Sequence, residues 1–284
     1  MPASFSSRLT QNFAKYGQLC VGIDPHASLL SEWGLSDDVA GLETFAFSVL
    51  NATAGRVAAI KPQISFFERH GSKGFAVLEK LAEAAAKTDL VVIMDAKRGD
   101  IGSTMDGYFD AWLGERAPFI CDALTVSPYL GFDSLKATMS SAIERGKGLF
   151  VLAATSNPEA KALQQGRVND QTIAATIWSN LNALNAVTKD AASPLGSIGA
   201  VVGATLNFAS VGLHALPAEQ SATPILAPGF GAQGAELSDA GAIFGAAKSQ
   251  VLASVSRSVL SAGAAGLQQS IDSANRELAA GLAN

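Results

Sequence analysis

The segment Asp95-Ala96-Lys97-Arg98-Gly99-Asp100-Ile101-Gly102-Ser103-Thr104 places two carboxylates and a lysine within six residues. The residues before it, Val91-Val92-Ile93-Met94, form a short apolar, β-branched-rich run that reads as a strand buried on both faces. Side chains alternate along an extended strand, so Asp95 and Lys97 are expected to project together from its end. Gly99 lets the backbone turn, and Asp100 follows that turn. Charges at the mouth of an apolar core cost desolvation energy unless they pair with each other or serve a ligand. Two readings follow: an Asp–Lys pair that caps a strand, or a reactive site at a strand end, where parallel α/β proteins build them.

Further candidates lie at the ends of other apolar runs. Lys61 follows the run at 57–60, where its ammonium would reach Asp95 in a closed barrel or snorkel at the rim. Asp24 follows Leu19–Ile23 and either caps the next segment or accepts from a sugar hydroxyl. Gly229-Phe230-Gly231-Ala232-Gln233-Gly234 has the G-x-G-x-x-G spacing of a dinucleotide loop, but it sits late in the chain. The stretch about 20 residues on, 250–255, holds no acid for a ribose. Either the loop is a plain turn or, as loops after the last strands of a barrel commonly do, it grips a phosphate through backbone N–H groups; Arg257 would add a bidentate contact unless it is a plain surface arginine.

These residues need a scaffold that brings strand ends to one place. Apolar strand-like runs occur at 19–23, 57–60, 91–94, 123–126, 149–154, 200–202, 224–227 and 250–253. Helical stretches at 42–54, 75–86, 104–114, 134–145 and 171–187 alternate with them, and helix resumes towards the C-terminus. Phe5, Leu9 and Phe13, four residues apart, predict an amphipathic first helix. Eight strands alternating with helices, each followed by polar, Gly or Pro residues, predict a single-domain (β/α)₈ TIM barrel over 1–284. A doubly wound sheet with a small second domain is the competing architecture, but no linker or shift in composition divides the chain.

At 284 residues and 48% hydrophobic content the chain can bury a large core. Its formal net charge of -5 argues against nucleic-acid or anionic-membrane partners, which favour basic surfaces. No run approaches the ~20 apolar residues of a membrane span. The N-terminus lacks the apolar core of a secretory signal, though it is acid-poor and serine-containing. Cys20 and Cys121 are each embedded in apolar sequence, which predicts buried thiols in a reducing, cytoplasmic setting. His26, His70 and His214 are too scattered for a zinc site, so no metal is expected.

The combination of Asp95 to Thr104 with Gly22-Ile23-Asp24-Pro25-His26, Lys61-Pro62-Gln63, Phe66-Phe67-Glu68, Thr155-Ser156-Asn157-Pro158 and Pro228 to Gly234 resembles orotidine 5'-phosphate decarboxylase. More narrowly it resembles the longer bacterial branch, of the mycobacterial type. The resemblance runs from about Leu19 to Arg257. It implies cofactor-free decarboxylation of orotidine 5'-monophosphate to uridine 5'-monophosphate and CO2, the last step of pyrimidine synthesis. Lys97 matches the lysine that stabilises and protonates the C6 carbanion, and Asp95 the aspartate beside the scissile carboxylate. Lys61 and Asp100 match the outer members of a Lys–Asp–Lys–Asp array. The family supplies the last aspartate, with Ile101 and Thr104 beside it, across a homodimer interface. Asp24 matches a ribose-hydroxyl acceptor, Ser156 a pyrimidine contact, and Gln233, Gly234 and Arg257 the phosphate site. Arg98 and the long 159–197 segment depart from shorter family members.

Rival functions share parts of this pattern. A magnesium-dependent sugar-phosphate decarboxylase or aldolase has the same D-x-K-x-x-D, but a lysine at the end of strand two would repel the metal. A lysine Schiff-base aldolase needs a neutral amine, which flanking carboxylates oppose. A nucleotide-binding module does not need four alternating charges.

Overall fold

The computed structural model describes residues 3–190, 193–213 and 221–283; His214 lies outside them. Eight parallel strands close into a barrel: β1 (Leu19–Ile23), β2 (Ala59–Pro62), β3 (Val91–Arg98), β4 (Ala123–Val126), β5 (Gly148–Ala154), β6 (Ile198–Val202), β7 (Ile225–Ala227) and β8 (Val251–Val255). Each pairs with its sequence neighbours, and β8 returns to pair with β1 through Leu19 opposite Ala253. The expected TIM barrel is therefore the observed fold, and its parallel strands are buried on both faces as such strands must be.

The two-residue period of the strands separates two cores. Val92 and Met94 face outward and pack with helix residues such as Leu78 and Leu81. Val91, Ile93, Cys20, Ala59, Phe150, Leu226 and Leu252 fill the interior. The helix Phe5–Tyr16 closes the bottom, where Phe5 meets Phe150 edge-on at 5.8 Å. Ser4 caps it by accepting from Ser7 N–H. Glycine at 148 makes room for this plug, since a Cβ there would stand 2.4 Å from the Phe5 ring. Both cysteines are buried and burial pushes each thiol up to about 12, as expected of structural thiols.

Element boundaries differ from expectation in physically informative ways. β2 runs through Lys61 and Pro62, because proline ends donation into a ladder without preventing the preceding extended geometry. β3 and β8 each extend further than their apolar runs, since polar residues continue the strand into the mouth. The helix after β3 starts at Gly102 and ends at Trp112. Ahead of the helix Ile173–Thr188 stands a small antiparallel hairpin, Arg167–Val168 with Gln171–Thr172. Its turn residues Asn169 and Asp170 have φ of 49° and 64°, the left-handed pair of a type I′ turn.

Candidate active site

The interior column of each strand is apolar at the bottom and polar at the top, and this places the reactive groups. Val91 and Ile93 face inward, so Asp95 does too; Ala59 faces inward, so Lys61 does too. Lys61 is 8% and Asp95 7% exposed, and Lys61 Nζ donates to Asp95 Oδ2 at 2.8 Å. Lys97 Nζ donates to the other oxygen, Oδ1, at 2.6 Å. Two further donors complete the carboxylate: Gln63 Nε2 to Oδ2 at 3.1 Å and Thr125 Oγ1 to Oδ1 at 2.9 Å. A carboxylate with donors on both sides of both oxygens is held as a fixed anion.

Electrostatics agree with this geometry. Burial alone would raise the Asp95 pKa, but the ammonium groups of Lys61 and Lys97 outweigh it and hold the carboxyl well below its usual range. Burial likewise opposes the charge on Lys61, yet Asp95 and Asp24 beside it raise its pKa above that of an ordinary lysine. Both residues are therefore charged at neutral pH. The Lys97 side chain stays 44% exposed, so its ammonium is anchored on Asp95 and still open to a ligand.

Lys97 reaches Asp95 by a route that alternation did not predict. The β3–β4 register shifts between Met94 and Arg98, and Lys97 has φ of 48°, in the left-handed region rather than extended. Its N–H donates to Thr125 Oγ1 at 2.9 Å, so one hydroxyl fixes both the lysine backbone and the aspartate side chain. Arg98 anchors the next position: it pairs with Glu68 and lies over the rings of Tyr108 and Trp112 at 5.6 and 5.8 Å. Gly99 then passes so close to Ser127 that a Cβ would stand 2.4 Å from its carbonyl oxygen.

Asp100 is not brought to the cluster. Its Oδ1 accepts from the Ile101 N–H at 2.8 Å, and it makes no ion pair among the described residues. Ile101 and Thr104 are exposed beside it, and Tyr129 and Leu130 on the loop after β4 are exposed as well. Asp24 Oδ1 is buried without a hydrogen-bond partner among the described residues.

Across the mouth, Ser156 Oγ donates to Gln233 Oε1 at 3.0 Å, which joins the loop after β5 to the Gly-rich loop after β7. Gly229, Gly231 and Gly234 all have positive φ, at 115°, 71° and 105°. A Cβ at Gly231 would stand 2.5 Å from the Ser258 side chain, so glycine lets this loop close on the turn that carries Arg257. Arg257 itself is exposed. The Gly234 N–H points into its own loop and donates to the Gly231 carbonyl at 2.8 Å. Gln63 and Thr125 are the site residues that sequence reasoning passed over. Their signal was a polar side chain at an inward-facing position next to an apolar strand.

The family model for "Orotidine 5'-phosphate decarboxylase / HUMPS family" matches residues 17–267. The chain belongs to this family. It is 52% identical over 260 residues to the orotidine 5'-phosphate decarboxylase of Streptomyces coelicolor, covering 90% of this chain and 89% of that protein. It is 51% identical to the one from a Nocardioides species, covering 90% and 91%. Among solved structures, a candidate orotidine 5'-phosphate decarboxylase from Streptomyces avermitilis superposes with a TM-score of 0.92 at 49% identity, covering 99% of this chain and 97% of that one. An OMP decarboxylase from Leishmania donovani gives a TM-score of 0.76 at 28% identity, with 99% of both chains covered. The orotidine 5'-phosphate decarboxylase family thus accounts for the barrel and for almost its whole length.

Proposed function

We propose that this chain converts orotidine 5'-monophosphate to uridine 5'-monophosphate and CO2 at the Lys61–Asp95–Lys97 cluster. The observation that carries the reading is a fully ionised, four-donor Asp95 that holds the Lys97 ammonium at the open end of the barrel. The bond from C6 to the carboxylate breaks and its electron pair stays on C6. A preorganised cation at that point stabilises the developing charge. The Lys97 ammonium then gives its proton to C6, and the resulting amine regains a proton from solvent. Asp95 sets the position of Lys97 and faces the departing carboxylate, and Lys61 keeps Asp95 ionised. The chemistry asks for no cofactor.

In this reading Asp24 accepts from the ribose, Ser156 contacts the pyrimidine, and Gln233, Gly234 and Arg257 hold the phosphate. With its N–H turned to Gly231, Gly234 would serve the phosphate after a small reorientation of its loop. Asp100, with Ile101 and Thr104, completes the site of a second copy. Support comes from its position beyond Gly99, with no ion pair among the described residues, and next to Ile101, which is 61% accessible. The whole chain, 1–284, then acts as one barrel unit of a homodimer with shared sites. Two buried thiols and the acidic net charge fit a reducing cytoplasm, with neither nucleic acid nor membrane as partner.

The magnesium-dependent reading of the same barrel lacks a supporting observation, since the Asp95 oxygens are already filled by cationic and neutral donors. Release of CO2 from orotidine 5'-monophosphate after exhaustive chelation tests the choice. Undiminished release is expected. Activity restored only by added magnesium would favour the rival.

A further inference from the structure

The strand that ends at Val255 continues the inward-facing column past its last paired residue. Leu252 lies in the barrel interior, Ser254 meets the Cys20 thiol above it, and Ser256 comes next in the same column: its φ of -141° still continues the strand, while its ψ of -91° turns the chain into the following helix. The corresponding column of β1 is Cys20, Gly22, Asp24. A Cβ at Gly22 would lie 3.0 Å from Ser256 Cβ and 3.2 Å from either Asp24 oxygen. The absent side chain of Gly22 thus leaves Ser256 and Asp24 flanking one small space at the mouth.

Both groups are unsatisfied. Ser256 Oγ and Asp24 Oδ1 are buried, and neither has a hydrogen-bond partner among the described residues. Buried polar atoms in a native fold are almost always paired, so each orphan needs an explanation. Ser256 even stands at the N-cap of the short helix Arg257–Leu260, where a serine hydroxyl ordinarily accepts from an amide one turn on. Here it makes no such bond, and only its carbonyl serves Val259 and Leu260. The hydroxyl is left free, opposite a carboxylate that can only accept.

We propose that Ser256 is a sugar-reading residue: its hydroxyl donates to one ribose hydroxyl of the substrate while that hydroxyl donates to Asp24. One donor and one acceptor on either side of a small space suit an alcohol, which both donates and accepts. They suit a phosphate oxygen poorly, because the Asp24 carboxylate would repel it. The place also fits, between Lys61 and Asp24 on one side and Arg257 on the other. This assignment rests on the orotidine 5'-monophosphate reading and adds to it a residue that selects the intact ribose.

The test compares wild type with Ser256→Ala on orotidine 5'-monophosphate and on its 2'-deoxy and 3'-deoxy analogues. The substitution keeps Cβ, so the packing against Gly22 is unchanged and the unfolding temperature should be too. On the natural substrate kcat/KM should fall about tenfold, the size of one neutral hydrogen bond lost with its acceptor left in place. On one of the two deoxy analogues the variant and wild type should be equal, because the hydroxyl that Ser256 reads is missing; on the other the loss should persist. The pair is overturned by no loss on the natural substrate, or by an equal loss on all three. A wild type that does not decarboxylate orotidine 5'-monophosphate at all fails the functional reading itself and takes the pair down with it.

Discussion

Asp95→Asn removes a negative charge from the centre of the cluster while keeping its shape. An amide offers one acceptor oxygen and one NH2, so two of the four donors around Asp95 lose their acceptor. Lys61 suffers most, because its ammonium is buried, whereas Lys97 is half-exposed and regains water. Removing one partner of a buried ion pair costs about 3–5 kcal/mol. Asp24 remains as a second counter-charge to Lys61, so the loss should fall at the lower end, about 3 kcal/mol near pH 6. The pH dependence gives the sharper test. In the wild type Asp95 is depressed, so its contribution is complete above about pH 4 and is lost as pH falls through its lowered pKa. Lys61 is raised, so its contribution is complete below about pH 10 and is lost only as pH rises through its raised pKa. Wild-type stability from this pair is therefore flat between those limits. In the variant, burial of Lys61 is no longer outweighed and its folded pKa drops below the unfolded value. The unfolded chain then binds more protons, and stability should climb with pH up to about pH 10. Chemical denaturation followed by tryptophan fluorescence at about pH 6, 8 and 9.5 measures both proteins. A deficit that narrows as pH rises is expected; equal stability at the lowest pH, or a deficit independent of pH, would refute the reasoning.

Arg257→Ala should lower kcat/KM for orotidine 5'-monophosphate by about 10- to 100-fold, the range for a charge-assisted contact, and leave the phosphate-free nucleoside unaffected. Equal losses on both substrates in steady-state assays would show that Arg257 does not bind phosphate. If Asp100 completes the site of a second copy, as proposed, Lys97→Ala and Asp100→Ala proteins should each be inactive, yet subunit exchange between them should restore activity to about a quarter of wild type, since half the dimers would be mixed and each would have one complete site. Verified exchange without recovery would mean that Asp100 works within its own chain.

Much of this architecture is legible in the chain because the physics behind it is local. Apolar runs bounded by Gly, Pro and charge mark all eight strands, and parity along a strand then assigns Asp95 and Lys61 to the interior. Parity fails at Lys97, where a shift in strand register and a left-handed backbone replace the extended geometry. Those features depend on Thr125 from the neighbouring strand, which no pattern within 91–104 can reveal. For Thr125 and Gln63 the strand pattern shows an inward-facing polar side chain, but not the carboxylate it serves, which is distant in sequence. The hairpin at 167–172 had a readable turn in Asn169-Asp170, but its strands are only two residues long, too short for an alternation signal. Helix starts are least legible where the first turn is polar or glycine-led, as at Gly71 and Gly102.

The central claim is that the Lys97 ammonium, held on Asp95, stabilises and protonates the carbanion left by CO2. It is tested most directly by following the loss of pyrimidine absorbance when orotidine 5'-monophosphate meets wild type or Lys97→Ala under a chelator, with uridine 5'-monophosphate as the product assayed. Wild type should turn over, and the folded variant should be slower by more than about 10²-fold, the usual effect of deleting a preorganised electrostatic partner. A folded Lys97→Ala protein that forms product at the wild-type rate would contradict the account.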